Sequence, residues 1–176
     1  MFVDESRTFA ELEERVAYLA GALVARGVQR GDRVAILMFN CVEFVETFLA
    51  CHRIGACAVP INFRLAATEV QHQVLHSGAK VVVVDAQLDA VAREAIMSSD
   101  AVLLSKSPTA SPTESLAQAF ADGPWIEGVI ITEDELAFLM YTSGTTGVPK
   151  AAMLTHRNLV TNTTNWLVEV GVGQED

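Results

Sequence analysis

Apolar positions along the chain fall into two alternating periods. Thr8-Phe9-Ala10-Glu11 has the form of a capping box, and it opens a stripe at Leu12, Val16, Leu19, Leu23 and Val24 whose three- and four-residue spacing predicts a helix ending near Gly27. Arg33 to Met38 (RVAILM) then reads as a short apolar strand. Asn40, with Glu43 three residues on, predicts the cap of a second helix carrying Phe44, Phe48, Leu49 and Ile54 and stopping at Gly55. Cys57 to Ile61 (CAVPI) predicts a strand whose proline favours a sheet edge or a strand end. Ala66 to Ser77 predicts a helix stopped by Gly78, and Val81 to Val84 is a run of β-branched residues that suits a strand.

The same alternation continues with a helix over 85–98 and a strand over 101–104. The stretch 105–124 changes character and reads as an exposed loop followed by a short helix. Trp125 to Ile131 predicts a return to strand, Glu133 to Glu135 an acidic, solvated turn, and Leu136 to Tyr141 a buried strand. Ala151 to Leu154 reads as one more strand and Thr155 to Val168 as a helix, with Trp166 packed upon it. Short apolar strands alternating with helices point to an α/β fold, a layered and mostly parallel sheet covered on both faces. No internal repeat interrupts the pattern.

Composition narrows the function classes. Of 176 residues 51% are hydrophobic and 19% charged, which is globular, and the formal net charge of -10 opposes nucleic-acid binding. No apolar run reaches the length of a transmembrane helix, and Asp4, Glu5 and Arg7 break any signal-peptide core. Cys41, Cys51 and Cys57 fit packing in a reducing compartment, so a cytoplasmic location is expected. His72 and His76 share a helix face at i and i+4, but no Glu stands as base in an H-E-x-x-H arrangement, and packing is the stronger reading.

The densest chemistry lies in Thr142-Ser143-Gly144-Thr145-Thr146-Gly147-Val148-Pro149-Lys150. Glycines let backbone N–H groups approach a ligand, hydroxyls add neutral donors, and the lysine adds a point charge; together these suit a polyphosphate. The P-loop pattern does not fit, because Pro149 precedes Lys150 and Ala151 follows it. A strand–loop–strand hairpin is expected in place of a loop seated on a helix N-terminus.

Tyr141 to Lys150, followed by Leu154-Thr155-His156-Arg157-Asn158-Leu159, resembles the signature phosphate loop of the adenylate-forming superfamily of acyl-CoA synthetases, nonribosomal adenylation domains and luciferases. The resemblance extends upstream through TFAELEERV, RGDRVAILMFN, FLACHRIGACAVPIN and RLAATEVQHQVLHSGAKVVVVD. The IGACAVPIN and RLAATEV segments look more like fatty or aryl acyl-CoA synthetases than amino-acid-adenylating domains. The resemblance implies that a carboxylate attacks the α-phosphate of ATP, that pyrophosphate leaves, and that coenzyme A takes the acyl group from the adenylate. Carried onto this chain, Thr142, Ser143, Gly144, Thr145, Thr146, Gly147 and Lys150 would surround the β- and γ-phosphates, with Thr142 nearest Mg²⁺. His156 is left between a binding role and a capping or packing role.

The resemblance further implies that residues 1–176 form an incomplete N-terminal AMP-binding domain, with a loop-rich stretch at 105–124 and the phosphate loop at 141–150. The later Tyr-Gly-x-Thr-Glu segment, the ribose-binding Asp, the hinge and the C-terminal lid domain with its lysine are not in it. Ala151 stands where relatives commonly carry Gly. Residues 1–176 alone are therefore expected to be inactive, with uncovered apolar surface prone to self-association or to pairing with the missing portion. A non-catalytic nucleotide-binding module and a structural interaction module stay open as alternatives. The acyl substrate is not specified.

Overall fold

A computed structural model of the protein describes residues 6–106, 114–142 and 150–171. The first helix, α1 (Phe9–Ala25), begins as its sequence requires: the Thr8 side chain accepts from the Glu11 N–H, and the Glu11 carboxylate returns to the Thr8 N–H at 2.7 Å. Strand β1 (Arg33–Leu37) follows, then α2 (Val42–Arg53), β2 (Cys57–Pro60), α3 (Ala67–Ser77) and β3 (Ala79–Val84). Gly78 closes α3 in the left-handed conformation at φ 63°, where a Cβ would be strained. A 3-10 turn over Ala86–Leu88 leads into α4 (Asp89–Ile96), and β4 (Val102–Ser105) completes the repeated alternation.

After the 107–113 stretch, which lies outside the described residues, come the two-residue strand β5 (Glu114–Ser115) and the one-turn helix α5 (Leu116–Ala119). Strands β6 (Leu136–Thr142) and β7 (Lys150–Thr155) and helix α6 (His156–Val170) end the described chain. The seven strands form one sheet in the order β5-β4-β3-β1-β2-β6-β7, parallel throughout except for the antiparallel β6–β7 pair.

Side chains alternate across the strands, so the sheet builds two cores. Val34, Ile36, Ala58, Val81, Val83 and Leu104 face α1, α2 and α5, where Leu19, Leu23, Ala50 and Leu116 meet them. Ala35, Leu37, Val82, Val84 and Leu103 face α3 and α4 and meet Val70, Val74, Ala92 and Ala95. The unbroken valine run in β3 is thus divided between two fully buried faces, as a parallel interior strand demands.

Five expectations need correction. The second helix is not capped by Asn40: Cys41 stands at the cap position without a side-chain capping hydrogen bond, and Glu43 is turned to Lys106 at 2.8 Å. Residues 125–131 form no strand, because β6 already occupies the free edge of β2; Ile126 and Ile130 stay exposed, and Trp125 is tied to α1 through its N–H and the Ala17 carbonyl at 2.8 Å. Within the stretch read as loop, Glu114 and Ser115 pair with Leu104 and Ser105. Strand β6 is only partly buried, and Trp166 on α6 is exposed.

Candidate functional site

The hairpin β6–β7 is the structural base of the Ser/Thr/Gly segment. Its register runs from Leu136 opposite Thr155 to Thr142 opposite Lys150, so residues 143–149 leave and return at paired positions. The Thr142 hydroxyl donates to the Lys150 carbonyl at 3.4 Å. Both residues are exposed. Of the three lysines, Lys80 pairs with Asp32 and Lys106 with Glu43, whereas among the described residues Lys150 has no carboxylate partner. A hydroxyl and an uncompensated ammonium thus stand at the two ends of the loop, an arrangement suited to an anion. Ser143, Gly144, Thr145, Thr146 and Gly147 lie outside the described residues.

Two clusters hold the hairpin, one on each face. On the α2 side Phe138 packs against Phe48 and His52, with ring centroids 5.5 and 4.9 Å apart. The His52 Nε2 meets the Ala137 carbonyl at 3.1 Å and therefore carries the hydrogen. Burial drives its pKa down to about 4, aided by the neighbouring His156 and opposed by that carbonyl bond, so the ring is neutral near pH 7. On the α3 side the Tyr141 hydroxyl lies 2.7 Å from the His76 Nδ1.

His156 opens α6, beyond the end of β7 opposite Lys150, six residues and about 20 Å along the strand direction from that lysine. Its backbone N–H donates to the Glu135 carbonyl at 3.0 Å, and its ring lies edge-on to His52, centroids 4.9 Å apart. The α6 cap is made by Thr155, whose hydroxyl accepts from the Asn158 N–H at 3.3 Å. Among the described residues His156 thus packs against His52.

The remaining polar candidates have structural partners. Glu135 binds Arg30, while Glu133 and Asp134 bind Arg157, so the acidic turn is a clasp between the α1–β1 connection and the start of α6. His72 and His76 stack at 5.7 Å, and no group of three or more His, Cys, Asp or Glu able to hold a metal occurs among the described residues. Cys51 and Cys57 are buried free thiols, both pushed upward in pKa by burial, Cys57 to about 11. No described helix is long and apolar enough to cross a membrane.

Sequence reasoning missed His52, His76 and Tyr141 as supports of the hairpin. The last lies inside the recognised motif; the two histidines become visible only when the sheet sets α2 and α3 on opposite faces.

The profile of the AMP-binding enzyme family matches residues 1–176. A feruloyl-CoA synthase from Amycolatopsis sp is 40% identical over 169 residues, covering 96% of this chain and 32% of the relative. A long-chain-fatty-acid–CoA ligase from Mycobacterium tuberculosis is 37% identical over 182 residues, covering 98% of this chain and 34% of the relative. The crystal structure of ATP-bound MatB from Rhodopseudomonas palustris superposes with a TM-score of 0.80 at 33% identity, covering 93% of this chain and 32% of that one. The chain thus spans about a third of the length of the curated relatives it matches.

Proposed function

Because the chain belongs to the AMP-binding enzyme family, we propose that the protein activates a carboxylic acid with ATP and transfers the acyl group to coenzyme A. The observation that carries this reading is the β6–β7 hairpin, which pairs Thr142 with Lys150 and suspends the hydroxyl- and glycine-rich segment between them. Similarity to a feruloyl-CoA synthase, to a long-chain-fatty-acid–CoA ligase and to an ATP-bound structure supports the reaction class.

In the adenylation step the carboxylate oxygen bonds to the α-phosphorus of ATP, and the bond to the bridging oxygen of pyrophosphate breaks. Negative charge accumulates on the departing pyrophosphate. Lys150, Thr142, Ser143, Thr145 and Thr146, with the backbone at Gly144 and Gly147, would hold the β- and γ-phosphates and stabilise that charge through donors already in place. No general base is needed, since a carboxylic acid is ionised at neutral pH. In the second step the sulfur of coenzyme A bonds to the acyl carbon and AMP leaves.

The donor set fits a magnesium ion carried mainly by the phosphates. Among the described residues no carboxylate cluster could cage one, whereas the Thr142 hydroxyl is of the hard-oxygen type this cation prefers. Bound there, Mg²⁺ would supply charge neutralisation on the phosphate oxygens.

A fatty acid is the substrate class we favour; the feruloyl-CoA synthase relative, at 40% identity, supports an aryl acid as the second reading. We place the protein in the cytoplasm, on its free, partly buried cysteines. We further propose that residues 1–176 form an incomplete AMP-binding domain, with a loop-rich stretch at 105–124 and the phosphate loop at 141–150. They would bind phosphate yet support no turnover by themselves. The exposed Met153, Val160, Trp166 and Val168 of β7 and α6 would be covered by pairing with the remaining length or by self-association.

Calorimetric titration of the full-length protein with Mg-ATP tests the phosphate assignment. The Lys150→Ala variant should bind at least about tenfold more weakly, the worth of one charge-assisted contact to phosphate. Equal affinity in both proteins would remove Lys150 from the site.

A further inference from the structure

The loop-bearing end of the hairpin is poorly tied to the main sheet. The ladder between β2 and β6 has one register pair, Ala58 opposite Phe138, and β2 ends at Pro60, which has no N–H to donate. Thr142 lies four residues beyond that pair, about 13 Å along the strand. Over this distance the described backbone partner of β6 is β7, which belongs to the same hairpin. Such a two-stranded arm is marginal alone and would allow the Thr142 and Lys150 donors to drift.

A side-chain tether stands where the ladder has stopped. Tyr141, next to Thr142, turns to the α3 face, and its hydroxyl meets the His76 Nδ1 at 2.7 Å and the Gln73 carbonyl at 3.4 Å. Both bonds form together when Nδ1 donates to the phenol oxygen and the phenol hydrogen goes to the carbonyl. The rings also meet edge-on, with centroids 5.7 Å apart and planes at 75°. His76 is exposed and stacks on His72, so the imidazole is held in place from its own helix.

We propose that His76 and Tyr141 are positioning residues for the phosphate loop: they fix the β6 stem to α3 and thereby hold Thr142 and Lys150 at the spacing that MgATP requires. The inference rests on the phosphate-loop reading given above. The tether touches neither nucleotide nor acyl group; it acts through the geometry of the hairpin, where an error of about 1 Å is enough to lose binding or rate.

The test is Mg-ATP titration and steady-state kinetics of the full-length protein carrying His76→Ala, Tyr141→Phe, both together, His76→Asn or Lys150→Ala. Each of the first two should raise the ATP dissociation constant and KM roughly three- to tenfold, the worth of one hydrogen bond, with little change in kcat at saturating ATP. The double variant should be no worse than the weaker-binding single variant, because one link has been cut twice. His76→Asn, whose amide nitrogen can replace Nδ1 as donor, should restore most of the affinity. Wild-type affinity in His76→Ala beside weakened binding in Lys150→Ala would overturn the tether and leave the loop assignment standing, as would additive effects in the double variant. Unchanged binding in Lys150→Ala would overturn the phosphate-loop reading and this inference with it.

Discussion

At the residue scale, burial changes the meaning of a histidine. No sequence pattern singles out His52, yet the structure places it beneath the hairpin, bonded to Ala137 and enclosed by Phe48, Phe138 and His156. Its pKa falls from an ordinary 6.5 to about 4, chiefly because burial penalises the charged ring. Between those values the unfolded chain binds a proton that the folded chain refuses. Stability is thus whole above pH 6.5 and is lost as pH falls towards 4, with a ceiling of about 3 kcal/mol at some 1.4 kcal/mol per pKa unit. Urea denaturation of the wild type and of His52→Gln from pH 7.5 to 4 checks this. The stability advantage of the wild type should shrink through the window, and parallel curves would contradict the assignment.

At this same scale the proposed phosphate loop rests on chemistry written locally, hydroxyls, glycines and a lysine within nine positions, of which Thr142 and Lys150 lie among the described residues. The placing of His156 at the end of β7 opposite Lys150 follows only from the length of that strand.

At the element scale, local signals decided most boundaries. The capping box of α1, the Gly78 stop of α3 and the valines of β3 all appear where periodicity and turn chemistry put them. The errors lie where a tertiary partner outbid a local rule. Glu43 left the cap geometry for Lys106, and 125–131 found no open sheet edge despite its apolar residues. Its first residue, Trp125, and the preceding Gly123 instead lie against α1. A Cβ on Gly21 would lie 2.0 Å from the Gly123 carbonyl oxygen and 3.3 Å from the Trp125 nitrogen. In an open helix Gly→Ala gains up to about 1 kcal/mol, so the site offers a test of sign. Gly21→Ala should destabilise the protein by roughly 1–3 kcal/mol through forced separation of α1 from the 120–125 segment. An unchanged or higher denaturation midpoint would show that this contact does not form.

At the scale of the whole molecule, the parallel α/β class could be read from alternating strands and helices, but the strand order could not. Nothing local states that β2 and β3 flank β1 or that the sheet continues through β2 to β6, whereas the β6–β7 hairpin was expected from its strand–loop–strand pattern. That order matters because it carries the hairpin past the end of β2, leaving Thr142 and Lys150 exposed while α2 and α3 grip opposite faces of the stem. The two-face grip is a property of topology, and for that reason the supports of the hairpin were harder to foresee than the hairpin itself.

The central claim is that this hairpin serves ATP-dependent activation of a carboxylic acid. Its most direct test is exchange of labelled pyrophosphate into ATP by the full-length protein, run with a panel of fatty and aryl acids and repeated with Lys150→Ala and with residues 1–176 alone. The account predicts exchange that requires an acid and Mg²⁺, falls at least about tenfold in Lys150→Ala, and is absent from residues 1–176. Absence of acid-dependent exchange from the full-length protein across the panel, or an undiminished rate in Lys150→Ala, would contradict it.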